Sequence, residues 1–414
     1  MSKQVLRYDK NCRVCGSDKI KTVLKLNDTP LEDQFVSKEN LNREQQVFPL
    51  ELAICENCGY VHLPHIVNPE ESYADYIYVS GVTVGLRGHY DEYAIEITNE
   101  FKIEEKSLVV DLGSNDGSML SSFKKIGMRI QGVEPASFIA NKANDSGLPT
   151  INNFFTESIV EEIIKSQGKA DVVTANYMYA NIDNVIEFTQ NVAKLLSTDG
   201  IFVVQTGYHP DQFKIKMFDY VYHEHFSYFS VEVLQNIFSK CGLELIHVKK
   251  ISPKGGSIRV VAQLKGGKRK IDSSIEQILL EEEKNKIKSI DFYKHLENEL
   301  INIKSNLINR LEKLKSEGKS IVAIGASHST TTLLYYFELA KYIDYIVDDN
   351  ELKHGRFSPG YHIPVHSTEK LYSDKPDYVL VLAWQHQDSI INKHKQYIAS
   401  GGHWIIPLPE LKIE

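Results

Sequence analysis

Cysteine is scarce in this chain: five among 414 residues, four of them within the first 58. So few thiols, so unevenly placed, exclude a disulfide-stapled scaffold and point to metal binding in a reducing compartment. No apolar run approaches the roughly 20 residues of a membrane-spanning helix. A positive balance is missing as well, with 47 Lys and Arg against 55 Asp and Glu and a net charge of -8. Partners such as nucleic acid or an anionic membrane favour a basic surface, so neither is expected. The first ten residues are polar and lack the apolar core of a secretory signal, so a cytoplasmic location is expected. What remains is an ordinary globular composition, 42% hydrophobic and 25% charged, long enough for two or three domains.

The scarce cysteines are arranged in pairs. Cys12 and Cys15, then Cys55 and Cys58, form two C-x2-C knuckles, each followed by glycine (Gly16 and Gly59). Each knuckle places two thiolates in one tight turn, and two knuckles complete a tetrahedral site for a structural zinc ion. The reading is an N-terminal zinc-binding module over residues 1–72. Just beyond it, Tyr73, Tyr76 and Tyr78 crowd together, ahead of Arg87 and His89. They either pack or line a cleft against the next domain.

The pattern changes at residue 107. Residues 108–111 form a short apolar run, read as a buried strand, which enters the glycine turn D-L-G-S-N-D-G at residues 111–117. A strand, a glycine turn and a helix start allow close approach of backbone to a ligand. A second strand, residues 129–133, ends at Glu134, followed by Pro135. An acid at that point accepts hydrogen bonds from a ribose diol. Residues 170–176 and 199–204 read as the fourth and fifth strands, with a helical stretch at 185–196 between them. The turn lacks the full G-x-G-x-x-G of a dinucleotide site and is closer to the first motif of class I methyltransferases, with NAD as the competing ligand. The expected domain spans residues 73–252.

After the fifth strand comes an unusual stretch. His223, Glu224 and His225 stand in a row, walled by Tyr220, Tyr222, Phe226, Tyr228 and Phe229. Imidazoles titrate near neutrality, and aromatic walls with a carboxylate shift them further. Such a cluster either moves protons on a bound substrate or packs as a hydrogen-bonded loop. The segment leaves the sheet at the carboxyl ends of its strands, where α/β ligands sit.

The remainder, residues 253–414, reads as a second α/β domain. It opens with a glycine turn and apolar strand at residues 254–263, then long Lys- and Glu-rich helices at 276–319. Strands follow at 320–325, 345–348, 377–382 and 403–407. Their alternation with helices predicts a Rossmann-like sheet. Lys353 and Arg356 stand in a glycine-containing loop where an anion can be met, although a solvated charged loop is the plainer reading.

Together these motifs resemble the zinc-containing, S-adenosylmethionine-dependent nucleotide-sugar C-methyltransferases that make branched deoxysugars. The resemblance covers nearly all 414 residues. It rests on the paired knuckles, Y-I-Y-V-S-G at 76–81, the turn at 111–117, E-P-A at 134–136 and Y-H-E-H-F-S-Y-F-S at 222–230. It is continued by G-G-S-I-R at 255–259 and H-G-R-F-S-P-G at 354–360. The resemblance implies zinc in the first domain, the methyl donor in the second, and nucleotide-sugar contacts from the third. The implied reaction methylates C3 of a nucleotide-linked 4-keto-6-deoxyhexose through an enolate. His225 is then the candidate base and Glu224 its tuning partner, with Tyr222 and Tyr76 on the oxyanion. Asp111, Gly113, Ser114, Asn115, Asp116, Gly117, Glu134, Pro135 and Asn176 are the donor-site candidates. Tyr78, Asn181, Lys353 and Arg356 are the substrate-facing ones.

Three positions depart from the family pattern. Asn181 replaces a histidine, Gln205 replaces a glutamate, and Ser329 replaces a lysine in the C-terminal loop. All three are expected to cluster around the substrate. Methyl transfer to oxygen or nitrogen of a related sugar is the nearest alternative, and a non-catalytic nucleotide-sugar binder the next.

Overall fold

The structure, a computed structural model, describes residues 5–68 and 86–414. Tyr73, Tyr76 and Tyr78 lie outside the described residues.

The central sheet has seven strands. Their order is Thr150–Ile151, Arg129–Val133, Leu108–Leu112, Ala170–Asn176, Leu196–Gly207, Ser257–Leu264, Leu243–Ile251. The first five run parallel, and Ser257–Leu264 inserts antiparallel beside Leu196–Gly207. Leu108–Leu112 is buried at every position, as a strand covered on both faces must be. Strand order reverses there, between Arg129–Val133 and Ala170–Asn176. This is the point at which open α/β sheets take their ligands. The strand expected to open the C-terminal domain thus belongs to the central sheet. Leu243–Ile251 and Ser257–Leu264 form an antiparallel hairpin at the edge of that sheet.

The C-terminal sheet runs Val365–Ser367, Ile346–Asp348, Ile321–Ile324, Tyr378–Val381, His403–Ile406, Lys412–Ile413. Its first five strands are parallel, and its order also reverses beside its first strand. The 27-residue helix Ile290–Ser316 leads into it, its start capped by the Ser289 hydroxyl accepting from the Phe292 amide. Leu296, Leu300, Ile303, Leu307, Leu311 and Leu314 recur at three- and four-residue spacing and form its buried stripe.

The N-terminal module is a small antiparallel sheet of Ile20–Lys25, Glu51–Cys55 and Val61–His62, completed by a fourth strand from far downstream. That strand is Ser227–Tyr228, part of the His-Glu-His segment. The module also bridges the two larger domains. Leu24 and Leu52 share a core with the long helix and the C-terminal sheet, whereas Cys12, Val14 and Tyr60 pack into the central core.

Candidate active site

The two knuckles meet as their spacing predicts. All four sulfurs, of Cys12, Cys15, Cys55 and Cys58, lie within 4.8 Å of one another. The closest pairs are Cys12–Cys58 at 3.6 Å and Cys15–Cys55 at 3.5 Å. Zinc–sulfur bonds of about 2.3 Å set tetrahedral sulfurs roughly 3.8 Å apart, so the cage fits zinc. Gly16 and Gly59 take left-handed conformations (φ 74° and 73°), and their amides donate back to the Cys12 and Cys55 carbonyls. Four thiolates leave no open position on the ion.

At the central switch point, Gly113 (φ 65°) turns the chain out of its strand, and its amide donates to the Val133 carbonyl at 2.8 Å. The Glu134 carboxylate ties the loop down. One oxygen accepts the Asn115 amide at 3.0 Å and the other the Ala136 amide at 2.9 Å, leaving each a second lone pair. Asp111 lies beneath, fully enclosed, accepting from Thr174 at 2.6 Å and from Asn176 at 3.3 Å. Burial pushes its carboxyl up to about 7. Asp116 caps the helix Ser118–Lys125 by accepting the Ser118 amide and hydroxyl, and Gly117 (φ 77°) completes the turn.

The His-Glu-His segment sits where all three domains meet. Asp219 accepts from Trp384 at 3.0 Å and Gln385 at 3.1 Å, and the Val221 carbonyl accepts from Thr332 at 2.9 Å. These are C-terminal-domain contacts. From the other side, one oxygen of Glu32 accepts both the backbone amide of His223 (2.8 Å) and its Nδ1–H (2.7 Å). Further along, the Phe226 carbonyl accepts from the Leu63 amide and from Arg13. Ser230 and the buried Glu282 then cap the helix Val231–Lys240. His223 is thus a structural anchor.

His225 is held differently. Its Nδ1 donates to the Tyr220 carbonyl at 3.3 Å, which leaves the Nε2 lone pair facing the Tyr222 hydroxyl at 2.8 Å. The two rings stack with centroids 4.1 Å apart. Burial, then the nearby charges of Lys254 and His328, lower the imidazole to about 3, so it is neutral at physiological pH. Glu224 has the opposite character. Burial, with Glu32 and Asp33 beside it, raises its carboxyl well above the usual range.

Lys353 does not reach this centre. It is buried, 3.0 Å from Asp33 and 2.6 Å from the Ala326 carbonyl, with its ammonium 4.5 Å over Phe35. Burial works to raise Asp33, but His328, Lys353 and Arg356 outweigh it and hold that carboxylate low. Arg356 is half-buried behind this pair.

One cavity of about 390 Å³ joins the two halves of the site. Gly113, Asn115, Glu134, Pro135 and Asn176 line one end, and Tyr222, Glu224, His225 and Asn181 line the other. Asp111 and Ser114 are buried outside the lining, and Lys353 and Arg356 are off it. The donor end fits S-adenosylmethionine. Its lining combines apolar walls with the Glu134 carboxylate and the Asn115 and Asn176 amides, suited to a ligand carrying an adenine, a sulfonium and an ammonium, and the buried Asn176 Oδ1 has no protein partner. The C-terminal domain contributes His328, whose Nε2 is 3.7 Å from Asp33 and 3.9 Å from Glu224. Lys254 lines the cavity too. Neither residue stood out as a site candidate in the sequence, although Lys254 opens the glycine turn quoted above.

The departures do not cluster. Asn181 lines the cavity, but Gln205 is buried behind it, accepting from Arg259 at 3.0 and 3.1 Å and meeting His89 at 2.9 Å. Arg259 keeps a carboxylate partner in Glu96 at 2.9 Å. Ser329 is buried off the cavity lining, 3.1 Å from Ser327 and hydrogen-bonded to Asp219.

A cavity at the switch point that opens onto a buried imidazole and carboxyl has the form of an enzyme site. Comparison with known proteins specifies the class. Family models match throughout: a zinc binding domain at residues 12–73, a methyltransferase domain at 86–248 and a C-methyltransferase C-terminal domain at 252–409. The C-methyltransferase NovU of Streptomyces niveus is 31% identical over 410 residues, covering 99% of this chain and 98% of its own. Among solved structures, magnesium protoporphyrin IX methyltransferase from Synechocystis with bound SAM is 14% identical. It covers 43% of this chain and 79% of its own, at a TM-score of 0.33. The CcbJ methyltransferase from Streptomyces caelestis is also 14% identical, covering 47% and 95%, at 0.35. The chain belongs to the S-adenosylmethionine-dependent C-methyltransferases with an N-terminal zinc-binding domain. Its cofactors are S-adenosylmethionine and zinc.

Proposed function

We propose that the enzyme methylates C3 of a nucleotide-linked 4-keto-6-deoxyhexose. The observation that carries this reading is the neutral, buried His225 sharing one cavity with the donor loop. A carbon acid is removable only beside a carbonyl, so the 4-keto group gives C3 its reactivity. In this reading the sugar enters the end of the cavity lined by Tyr222, Glu224 and His225, with its nucleotide towards the C-terminal domain and Asn181 against the ring.

His225 Nε2 takes the C3 proton, and the Tyr220 carbonyl holds the Nδ1–H so that the imidazolium forms in a fixed orientation. Tyr222 turns its hydroxyl proton from Nε2 to the carbonyl oxygen, freeing the lone pair as charge develops there. Glu224, whose carboxyl burial and the neighbouring Glu32 and Asp33 raise, takes the role of tuning partner to His225 in this reading. Glu134, Asn115 and Asn176 would hold S-adenosylmethionine, which when bound would supply an electrophilic methyl group. Tyr76 is a proposed contact to the same oxygen.

The test is solvent exchange in deuterium oxide without methyl donor, on thymidine- and uridine-diphosphate 4-keto-6-deoxyglucose. Wild type is expected to wash out the C3 proton, and His225→Asn to slow exchange and methylation at least about a thousandfold while binding the donor normally. Methyl transfer without exchange, or on sugars lacking the ketone, would replace this reading with attack by oxygen or nitrogen.

A further inference from the structure

The cavity is acidic at its donor end and neutral at His225, yet a keto sugar placed there must develop a full negative charge on oxygen. Among the described residues, Lys254 is the one lysine or arginine that lines it. Lys254 also lines a small chamber of about 20 Å³ behind the cluster, together with His225, Tyr220 and Tyr228. Its ammonium is 4.3 Å over the ring of Tyr177, another lining residue.

The backbone supports a functional placement. Lys254 sits in the short turn Pro253–Gly255 that joins the last two strands of the central sheet. That turn lies at the edge where Gly207 pairs with Ser257, the carboxyl end of the parallel strands. Lys254 takes a left-handed conformation (φ 54°), and so does Tyr177 (φ 56°). The two left-handed residues meet at one cavity, each at a modest backbone cost. Gln212 fixes the turn by donating to the Lys254 carbonyl at 3.1 Å. The electrostatic reach is also visible, since Lys254 is among the charges that lower His225, His328 and His386.

We propose that Lys254 is a catalytic residue whose ammonium receives the negative charge on the substrate's carbonyl oxygen during carbon methylation. The inference rests on the enolate reading above. When His225 takes the C3 proton, the C–H bonding pair becomes the C3–C4 double bond and the carbonyl π pair moves onto oxygen. Lys254 donates an N–H to that oxygen and keeps its proton. The pair returns as C3 accepts the methyl, so the ketone is restored and nothing else is consumed. A cation aimed at the developing oxyanion, and weakly engaged with the neutral ketone, lowers the barrier and not the binding energy.

The experiment compares wild type, Lys254→Met and Lys254→Arg, each with zinc bound, on the two 4-keto-6-deoxyglucose nucleotides. It measures C3 deuterium exchange without donor, kcat and KM with donor, donor affinity by calorimetry, and melting temperature. Losing one oxyanion donor is expected to lower the exchange rate and kcat about 100- to 1,000-fold in Lys254→Met. KM and donor affinity should stay within about threefold, and Lys254→Arg should recover at least tenfold of the loss. Exchange in Lys254→Met at the wild-type rate would overturn the assignment. A rise in KM at unchanged kcat would overturn it too, and would make Lys254 a phosphate contact. If wild type itself neither exchanges nor methylates carbon, it is the enolate reading that fails, and the variants are not needed to see it.

Discussion

The two α/β domains carry switch points built to one plan. In the central domain Leu108–Leu112 runs through Gly113 into the helix Ser118–Lys125; in the C-terminal domain Ile321–Ile324 runs through Gly325 into His328–Phe337. Each turn is tied down by an acid from the neighbouring strand, Glu134 on the Asn115 amide and Asp348 on the Ala326 amide. The first turn opens onto the cavity. The second is filled by protein: Lys353 occupies the Ala326 carbonyl, Thr331 donates to the Glu32 carbonyl, and Ala383 lies against Gly325. Among the described residues of that second turn and helix, only His328 lines the cavity. Strand order places a candidate site, and what packs on the turn decides whether it becomes one.

The zinc module shares in the filling, since Glu32 and Asp33 belong to it, and its sheet takes in Ser227–Tyr228. Removing the metal is therefore the largest perturbation. Structural zinc is worth about 10–16 kcal/mol in small zinc peptides, so chelation should unfold the module and abolish methyl transfer with it. Circular dichroism and activity, followed together during chelation and zinc readdition, check this; full activity in metal-free protein would separate the module from the site.

Breaking the plug comes next. Lys353→Met leaves Asp33 buried without its nearest cation and should cost about 3–5 kcal/mol in denaturant unfolding, with Asp33→Asn added to recover part of it. Smaller effects should distinguish the two glycines. Gly325→Ala puts a Cβ 2.8 Å from the Ala383 backbone nitrogen at φ 101°, so stability should fall by at least about 2 kcal/mol. Gly113→Ala meets only the flexible Met178 side chain, at 2.8 Å. It should cost about 1–2 kcal/mol and show itself instead as a tenfold or greater loss of donor affinity. Equal donor affinities in the two variants would erase the contrast between the turns.

The smallest expected change is a flat line. His225 is depressed to about 3, so its base form is already present at pH 5 and is lost only as pH falls towards 3. The kcat/KM profile, which reports the free enzyme, should show no acid limb near 6.5. A limb there in wild type would mean that His225 titrates normally; Lys254→Met removes one of the charges that lower it and should move the limb upward, not abolish it.

Much of this architecture could be read from residue patterns. The strands at 129–133 and 170–176 follow from apolar runs, and the thiolate cage from two C-x2-C spacings, because both signals are local. What escaped reading depends on remote partners. Nothing in the string around Ser227 says that it pairs with His62, nor around Lys353 that Asp33 is waiting for it. A charged loop residue and a buried ion pair look alike until the fold brings the partner. Lys254 was hidden for another reason. In a glycine turn it resembles a solvated lysine, and only its left-handed backbone at the sheet edge turns it towards the cavity. Gln205 shows the reverse, a residue at a strand end that points to Arg259 and not to ligand.

The position of the transferred methyl group separates attack by carbon from attack by oxygen or nitrogen most directly. Incubating the zinc-loaded enzyme with methyl-¹³C donor and a 4-keto-6-deoxyhexose nucleotide, then taking the carbon spectrum of the product, locates it. The predicted result is a labelled methyl coupled to a quaternary C3 beside an intact C4 ketone. A labelled methyl on oxygen or nitrogen would contradict it.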